Sequence, residues 1–195
     1  MGWAIRASRF TVLYDSCVLY PAPLRDLLLQ LALTDLFRAK WTRTIHGEWL
    51  DNLLANRPDL DRSRLERTRD LMDNAVRDCI VEGFEPLIEA LTLPDPDDRH
   101  VLAAAIRCKA DLILTYNLSD FPAEYLATWT IEAEHPDEFI VHLLGLDESL
   151  VCDAARTCRT RLSNPAKTAD EYLDILASQQ LLETVSWLRE RRNLI

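Results

Sequence analysis

Apolar positions along the chain follow two rhythms, and their alternation predicts an α/β fold. A continuous apolar run from Phe10 through Val12, Leu13 and Tyr14 predicts a buried strand, and Leu112, Ile113, Leu114 and Thr115 predict another across 111–116. Between them the spacing is helical. Leu24, Leu27, Leu28 and Leu31 recur at i, i+3, i+4 and i+7 behind Pro21 and Pro23, predicting a helix that ends near Phe37. A link at 41–44 leads to a helix over 45–55, halted before Pro58, and Leu65, Thr68, Met72, Ala75 and Val76 mark an amphipathic helix. Residues 79–81 are ambiguous, and 86–91 read as a helical turn. Asp95, Pro96, Asp97 and Asp98 read as a turn and cap before a helix through Val101, Leu102 and Ala103–Ala105 to about Cys108. An extended piece over 127–132 precedes a helix from Pro136 to about Leu144. Such alternation favours a parallel sheet covered on both sides.

Beyond Gly145 the pattern is helical only: 150–162, then a capping-box sequence from Thr168 to Glu171, then a stripe of Leu181, Leu182, Val185 and Leu188. Charge divides the chain at about the same place. Residues 1–150 hold 15 Lys/Arg against 26 Asp/Glu, whereas 151–195 hold 7 against 6. Residues 1–145 are thus expected to form the main domain and 146–195 a helical extension.

With 195 residues, 48% of them hydrophobic, the chain can fill a real core. No apolar run nears the ~20 residues that span a bilayer, and residues 1–6 lack a signal-peptide layout. The expectation is a soluble, cytoplasmic protein without a membrane partner. Five cysteines, Cys17, Cys79, Cys108, Cys152 and Cys158, form no C-x-x-C pair, so buried free thiols are expected rather than disulfides or a zinc site. A net charge of −10 argues against a broad basic face for nucleic acid. It leaves open cutting nucleic acid with a divalent cation between carboxylates and phosphate.

Acidic residues recur where open α/β sheets place their sites. Asp15 ends the first strand; Glu48 lies on an early helix; Asp97 and Asp98 open another; Asn117 and Asp120 follow the second long strand. Singly, each has an ordinary reading as a turn residue, cap or solvated side chain. Jointly they suggest an oxygen-rich site for Mg²⁺ or Mn²⁺, able to activate water and offset charge in phosphodiester hydrolysis.

The joint pattern resembles the PIN-domain family of metal-dependent ribonucleases, which includes toxins of many bacterial toxin–antitoxin pairs. Four segments carry the likeness over about residues 9–140: Val12-Leu13-Tyr14-Asp15-Ser16-Cys17-Val18-Leu19, Glu48-Trp49, Asp97-Asp98-Arg99-His100 before the alanine run, and Leu114-Thr115-Tyr116-Asn117-Leu118-Ser119-Asp120-Phe121-Pro122. A late Pro136-Asp137-Glu138-Phe139 points to one subgroup. The resemblance implies a Rossmann-like three-layer sandwich with a mostly parallel sheet, plus C-terminal helices. It implies Asp15, Glu48, Asp98 and Asp120 as metal ligands or water-positioning groups, with Thr115, Asn117 and Asp97 in support. Many relatives carry an Asp after the threonine, where this chain has Asn117, and Asp120 is a substitute for it. Asp98 is preferred to Asp97 by its spacing to the alanines. Also implied are an RNA substrate, a cognate antitoxin and a homodimer or larger assembly.

The competing reading is a catalytically weakened PIN-fold module acting through protein partners. A haloacid-dehalogenase-type phosphatase is set aside, because Cys17 stands where its second Asp belongs. Among weaker features, His100 reads as a helix-surface or supporting histidine, and Arg38, Lys40 and Arg43 as a solvated cluster. Trp41, Trp49 and Trp129 read as core or interface anchors, and Cys17 as a packed thiol.

Overall fold

The computed structural model describes residues 10–195; the reading of residues 1–6 lies outside them. The first apolar run forms β1 (Thr11–Tyr14), buried throughout, so both faces of this strand are covered. A one-turn helix, α1 (Ser16–Leu19), leads to α2 (Ala22–Ala32), which buries Leu24, Leu27, Leu28 and Leu31. Helix α2 stops short of the expected end near Phe37. Asp35 takes a left-handed backbone (φ 64°), and the turned chain sends Phe37 into the core ahead of β2 (Arg38–Lys40). That strand was not expected, because Arg-Ala-Lys offers a single apolar side chain to any pattern.

Helices α3 (Arg43–Asn56) and α4 (Arg62–Ala75) follow, then the single turn α5 (Glu85–Ile88) and the alanine-rich α6 (Arg99–Cys108), which packs on β1. The second long strand, β3, is confined to Leu112–Leu114, and α6 packs on it too. A short helix, α7 (Ala123–Leu126), precedes β4 (Glu132–Glu134). Here the expectation of an extended piece over 127–132 is corrected. Residues 127–129 make a 3₁₀ turn closed by Thr130 in the left-handed region (φ 59°), and the strand begins only at Glu132. Polar Glu132 and Glu134 fit an edge strand, where one side is open.

The sheet is wholly parallel, in the order β2-β1-β3-β4. Val12 pairs with Ala39 on one side and Leu112 on the other, and Ile113 pairs with Ala133. Beyond β2, Trp41 bridges to Ile80, which gives the ambiguous 79–81 segment its place. The chain leaves β1 for β2 on one side and returns through β3 on the other. A topological switch point therefore lies between β1 and β3, with its crevice at their C-terminal ends.

The remaining chain forms α8 (Pro136–Leu146), α9 (Glu148–Arg161), α10 (Ala169–Ala177) and α11 (Leu182–Glu190). Thr168 and Glu171 complete the capping box expected at α10. Helix α9 lies on α2, α11 lies on α8, and Val151, Ala155, Leu173, Leu176 and Leu188 join the same hydrophobic core as the sheet. One buried polar group anchors this arrangement. Asp137, in the first turn of α8, accepts the backbone N–H groups of Glu183 and Thr184, each at 2.8 Å, at the start of α11. A carboxylate there also suits the positive end of the helix dipole.

Asp137→Ala strands those two N–H donors. It is expected to lower stability by about 2 kcal/mol, as loss of a buried charge-assisted cap does. Urea unfolding would measure it, and hydrogen exchange should rise first in α11.

Candidate active site

The site is built from the ends of β1 and β3 inward. Asp15 is 3% exposed, and its N–H continues the ladder to the Leu114 carbonyl at 3.1 Å. Its carboxylate is held by three donors. Oδ1 accepts the Ser16 N–H at 2.6 Å, capping α1; Oδ2 accepts the Thr115 hydroxyl at 2.7 Å and the Cys17 thiol at 3.1 Å. Thr115 is fully buried, and its oxygen accepts the Asn117 N–H at 3.0 Å, while Cys17 Sγ accepts the Tyr116 N–H at 3.3 Å. Burial, with the Asp15 charge beside it, pushes the Cys17 thiol far up. It is a packed, protonated donor and no nucleophile.

Asp98 sits at the entry to α6, yet its side chain makes no cap bond there. The preceding turn is capped by Asp95, whose Oδ1 accepts the Asp97 N–H at 2.9 Å, and Asp97 itself is exposed. The carboxylate of Asp98 is therefore left for other work. Burial pushes it up to about 7, helped by the charges of Asp15, Asp95 and Asp120 and opposed by His100. Asp120, half-buried, belongs to a 3₁₀ turn closed by its N–H to the Asn117 carbonyl at 3.0 Å. The Asn117 side chain is exposed.

Glu48 approaches from α3. Its Oε1 lies 2.6 Å from His100 Nε2 on α6, and the imidazole is largely buried, so His100 is not the helix-surface residue that was one of its readings. Helix α3 is itself fixed by a buried relay. The Trp49 indole N–H donates to His46 Nδ1 at 2.9 Å, which puts the imidazole proton on Nε2, 2.9 Å from Asp73 Oδ1. The Trp41 indole donates to that same oxygen at 2.8 Å, tying β2, α3 and α4 together. Burial holds the His46 pKa below its ordinary value, so the ring is neutral.

The structure thus brings Asp15, Asp98 and Asp120 into one electrostatic field and joins Glu48 to it through His100. Among the described residues no three or more His, Cys, Asp or Glu side chains are already gathered as a ligand shell. The donor set nonetheless fits a hard divalent cation. It offers oxygen atoms, burial and like charges together raise Asp98, and Asp15, with three of its roughly four acceptor positions used, keeps one open. Sequence reasoning missed the Glu48–His100 pair and the bracing role of Cys17. The first joins residues on helices far apart in sequence, which no periodicity encodes; the second was visible only as a thiol two positions after Asp15.

The secondary candidates sort as solvated or structural groups. Lys40 bonds the Asp78 carbonyl, and Arg43 lies 4.0 Å from Glu82 with both side chains largely exposed. Trp41 and Trp49 are core, whereas Trp129 is 43% exposed.

Comparison with known proteins bears on the fold that carries this site. A family model described as PIN domain matches residues 11–119, and one described as VapC50 C-terminal domain matches residues 136–190. Over 106 residues the chain is 35% identical to a Mycobacterium tuberculosis protein named "Putative ribonuclease VapC50", a stretch covering 54% of this chain and 62% of that one. The matched stretch thus leaves more than a third of that relative's length uncovered. No solved structure matches the chain. The PIN-domain match takes in more than half of the chain, including Asp15, Glu48, Asp98 and Thr115, and the chain belongs to the PIN-domain family.

Proposed function

We propose that this protein is a Mg²⁺- or Mn²⁺-dependent endoribonuclease, the toxin of a bacterial toxin–antitoxin pair, acting in the cytoplasm. One observation carries the reading: the uncapped Asp98 carboxyl is pushed up to about 7 by burial and by like charges that include Asp15, itself held by three hydrogen bonds. Such concentration of unbalanced carboxylates is a property of functional sites rather than of surfaces. The similarity to a protein named as a ribonuclease supports the substrate class. No helix among the described residues is long and apolar enough to cross a membrane. Residues 146–195 are proposed as a helical extension seated on a nuclease unit of residues 1–145, and the acidic crevice as the surface that a cognate antitoxin covers with basic side chains. A homodimer or larger assembly is proposed with them.

In this reading Asp15, Glu48, Asp98 and Asp120 hold the cation. When bound, it supplies a water of lowered pKa and a counter-charge for the phosphate. Thr115 and Cys17 orient the Asp15 carboxylate through their hydrogen bonds. His100 holds Glu48 toward the site and offsets part of the Asp98 charge. Asn117 adds a neutral amide on the same loop.

Asp15→Asn is expected to reduce divalent-dependent cleavage of single-stranded RNA by more than about a hundredfold, with an unchanged far-UV circular dichroism spectrum. Metal-dependent cutting that survives this change intact would sink the reading.

The raised Asp98 also sets a pH dependence. Its folded value of about 7 exceeds the ordinary 3.8, so between these the folded form binds more proton than the unfolded. Stability from this group therefore falls as pH rises from about 4 to about 7 and stays low above that. Asp98→Asn cannot ionise. In metal-free protein the variant should match the wild type near pH 4 and exceed its Tm by roughly 2–4 °C near pH 8, the shift worth about 1 kcal/mol once solvent screening of a half-exposed group is allowed for. Adding Mg²⁺ should raise the Tm of the wild type by more than that of the variant.

A further inference from the structure

Beside the carboxylates lies a second feature of different chemistry. A cleft of about 330 Å³ opens between α1, α3 and the loop after β3, and it reaches the acidic site through Ser16 and Cys17, which follow Asp15, and through Asn117. This is within the size range of small-ligand sites, at the low end of roughly 300–1,000 Å³. Its lining carries three amides: Asn117 from the loop and Asn52 and Asn56 from α3. Trp49, fully buried under the Arg25 guanidinium, borders it, and the aromatic ring on offer is that of the half-buried Tyr20, whose hydroxyl accepts from Asn56 Nδ2 at 3.2 Å.

Two properties bear on what this cleft suits. The lining includes no Lys, Arg, Asp or Glu, although the chain has 22 Lys/Arg and 32 Asp/Glu. A phosphate finds no cation there, and three amides are wasted on a purely apolar group. Neutral amides beside an aromatic ring are what recognise the edge and face of an unpaired base in single-stranded RNA. The second property is position. Glu48, Asn52 and Asn56 are spaced four apart on α3 and so form a single stripe, one turn or ~5.4 Å per step, leading from the catalytic carboxylates into the cleft. One step of that stripe is about the separation between a scissile phosphate and the next base.

We propose that this cleft is a base-reading pocket for a nucleotide flanking the cut, with Asn52 and Asn56 as its specificity-determining residues. The proposal rests on the ribonuclease reading for its context, but its first test does not. Side-chain amide NMR of metal-free protein, titrated with each of the four ribonucleoside 5′-monophosphates, should show shifts at Asn52 and Asn56 with one base preferred. Read at the Asn117 side-chain amide, which lines the same cleft, the preference should disappear in the Asn52→Ala/Asn56→Ala double variant and persist in the control Asn74→Ala, a change at an exposed asparagine of α4. Absence of shifts at Asn52 and Asn56 with all four overturns the proposal. The second test maps cut sites on a randomised single-stranded RNA with Mn²⁺. The wild type should favour one base at a fixed position by about tenfold or more, the discrimination a paired amide gives, and the double variant should cut with that preference flattened. An unchanged preference in the double variant overturns the pocket. Base binding in a protein that cuts no RNA supports the pocket and refutes the ribonuclease reading instead.

Discussion

The hydrogen bond between Thr115 and Asp15, 2.7 Å long and joining residues a hundred positions apart, is the contact on which the crevice depends. A carboxylate only 3% exposed is costly to desolvate, and three donors offset that cost. In doing so they pin the C-terminal ends of β1 and β3 together at the switch point of the sheet. The charge so buried then acts at a distance: it is part of the field that raises Asp98 and the thiol of Cys17. A protonated Cys17 is in turn what lets the thiol donate to Asp15. The arrangement is self-consistent, because the group that perturbs its neighbours is also stabilised by them.

The loop carrying Thr115 is gripped from the opposite side by the C-terminal helices. Tyr116 gives its N–H to Cys17 and its hydroxyl to the Gln179 carbonyl at 2.8 Å, and its ring meets His135 edge-on at 5.0 Å. Asp137 ties α8 to α11 a short way along the chain. Helix α3 is held just as firmly where the Trp41 indole and the His46 imidazole converge on Asp73, the imidazole in turn accepting from the Trp49 indole. Glu48 and Thr115 thus sit on elements whose positions are set by buried polar contacts, which is how a site is kept in register without its ligand.

The elements and residues differ in how far the sequence revealed them. Asp15 was legible because a fully apolar strand ends on it, and α6 because an alanine run follows an acidic turn. Strand β2 was not, since Arg38 and Lys40 hide a three-residue strand whose pairing, not its composition, defines it. Strand β4 was displaced in the reading for a similar reason: Trp129 and Ile131 look more strand-like than Glu132 and Glu134, but Thr130 turns the chain between them. His100 was left between a helix-surface and a supporting role, because nothing near it in the sequence names its partner. Its partner on α3 decides its burial, and tertiary pairing of that kind leaves no local trace.

Position 117 joins the two halves of the crevice. The backbone N–H there supports Thr115 and hence Asp15, while the side chain lines the neutral cleft. A carboxylate at 117 adds an oxygen ligand with full charge, but it also adds a fourth like charge to the three already acting on Asp98 and puts a negative group in the wall of a cleft otherwise lined by amides, hydroxyls and a thiol. An amide keeps an oxygen within the site and keeps the cleft uncharged, at the cost of weaker attraction for the cation. On the proposed reading of the two features, Asn117 is a compromise between holding a metal and admitting a base rather than the loss of a ligand.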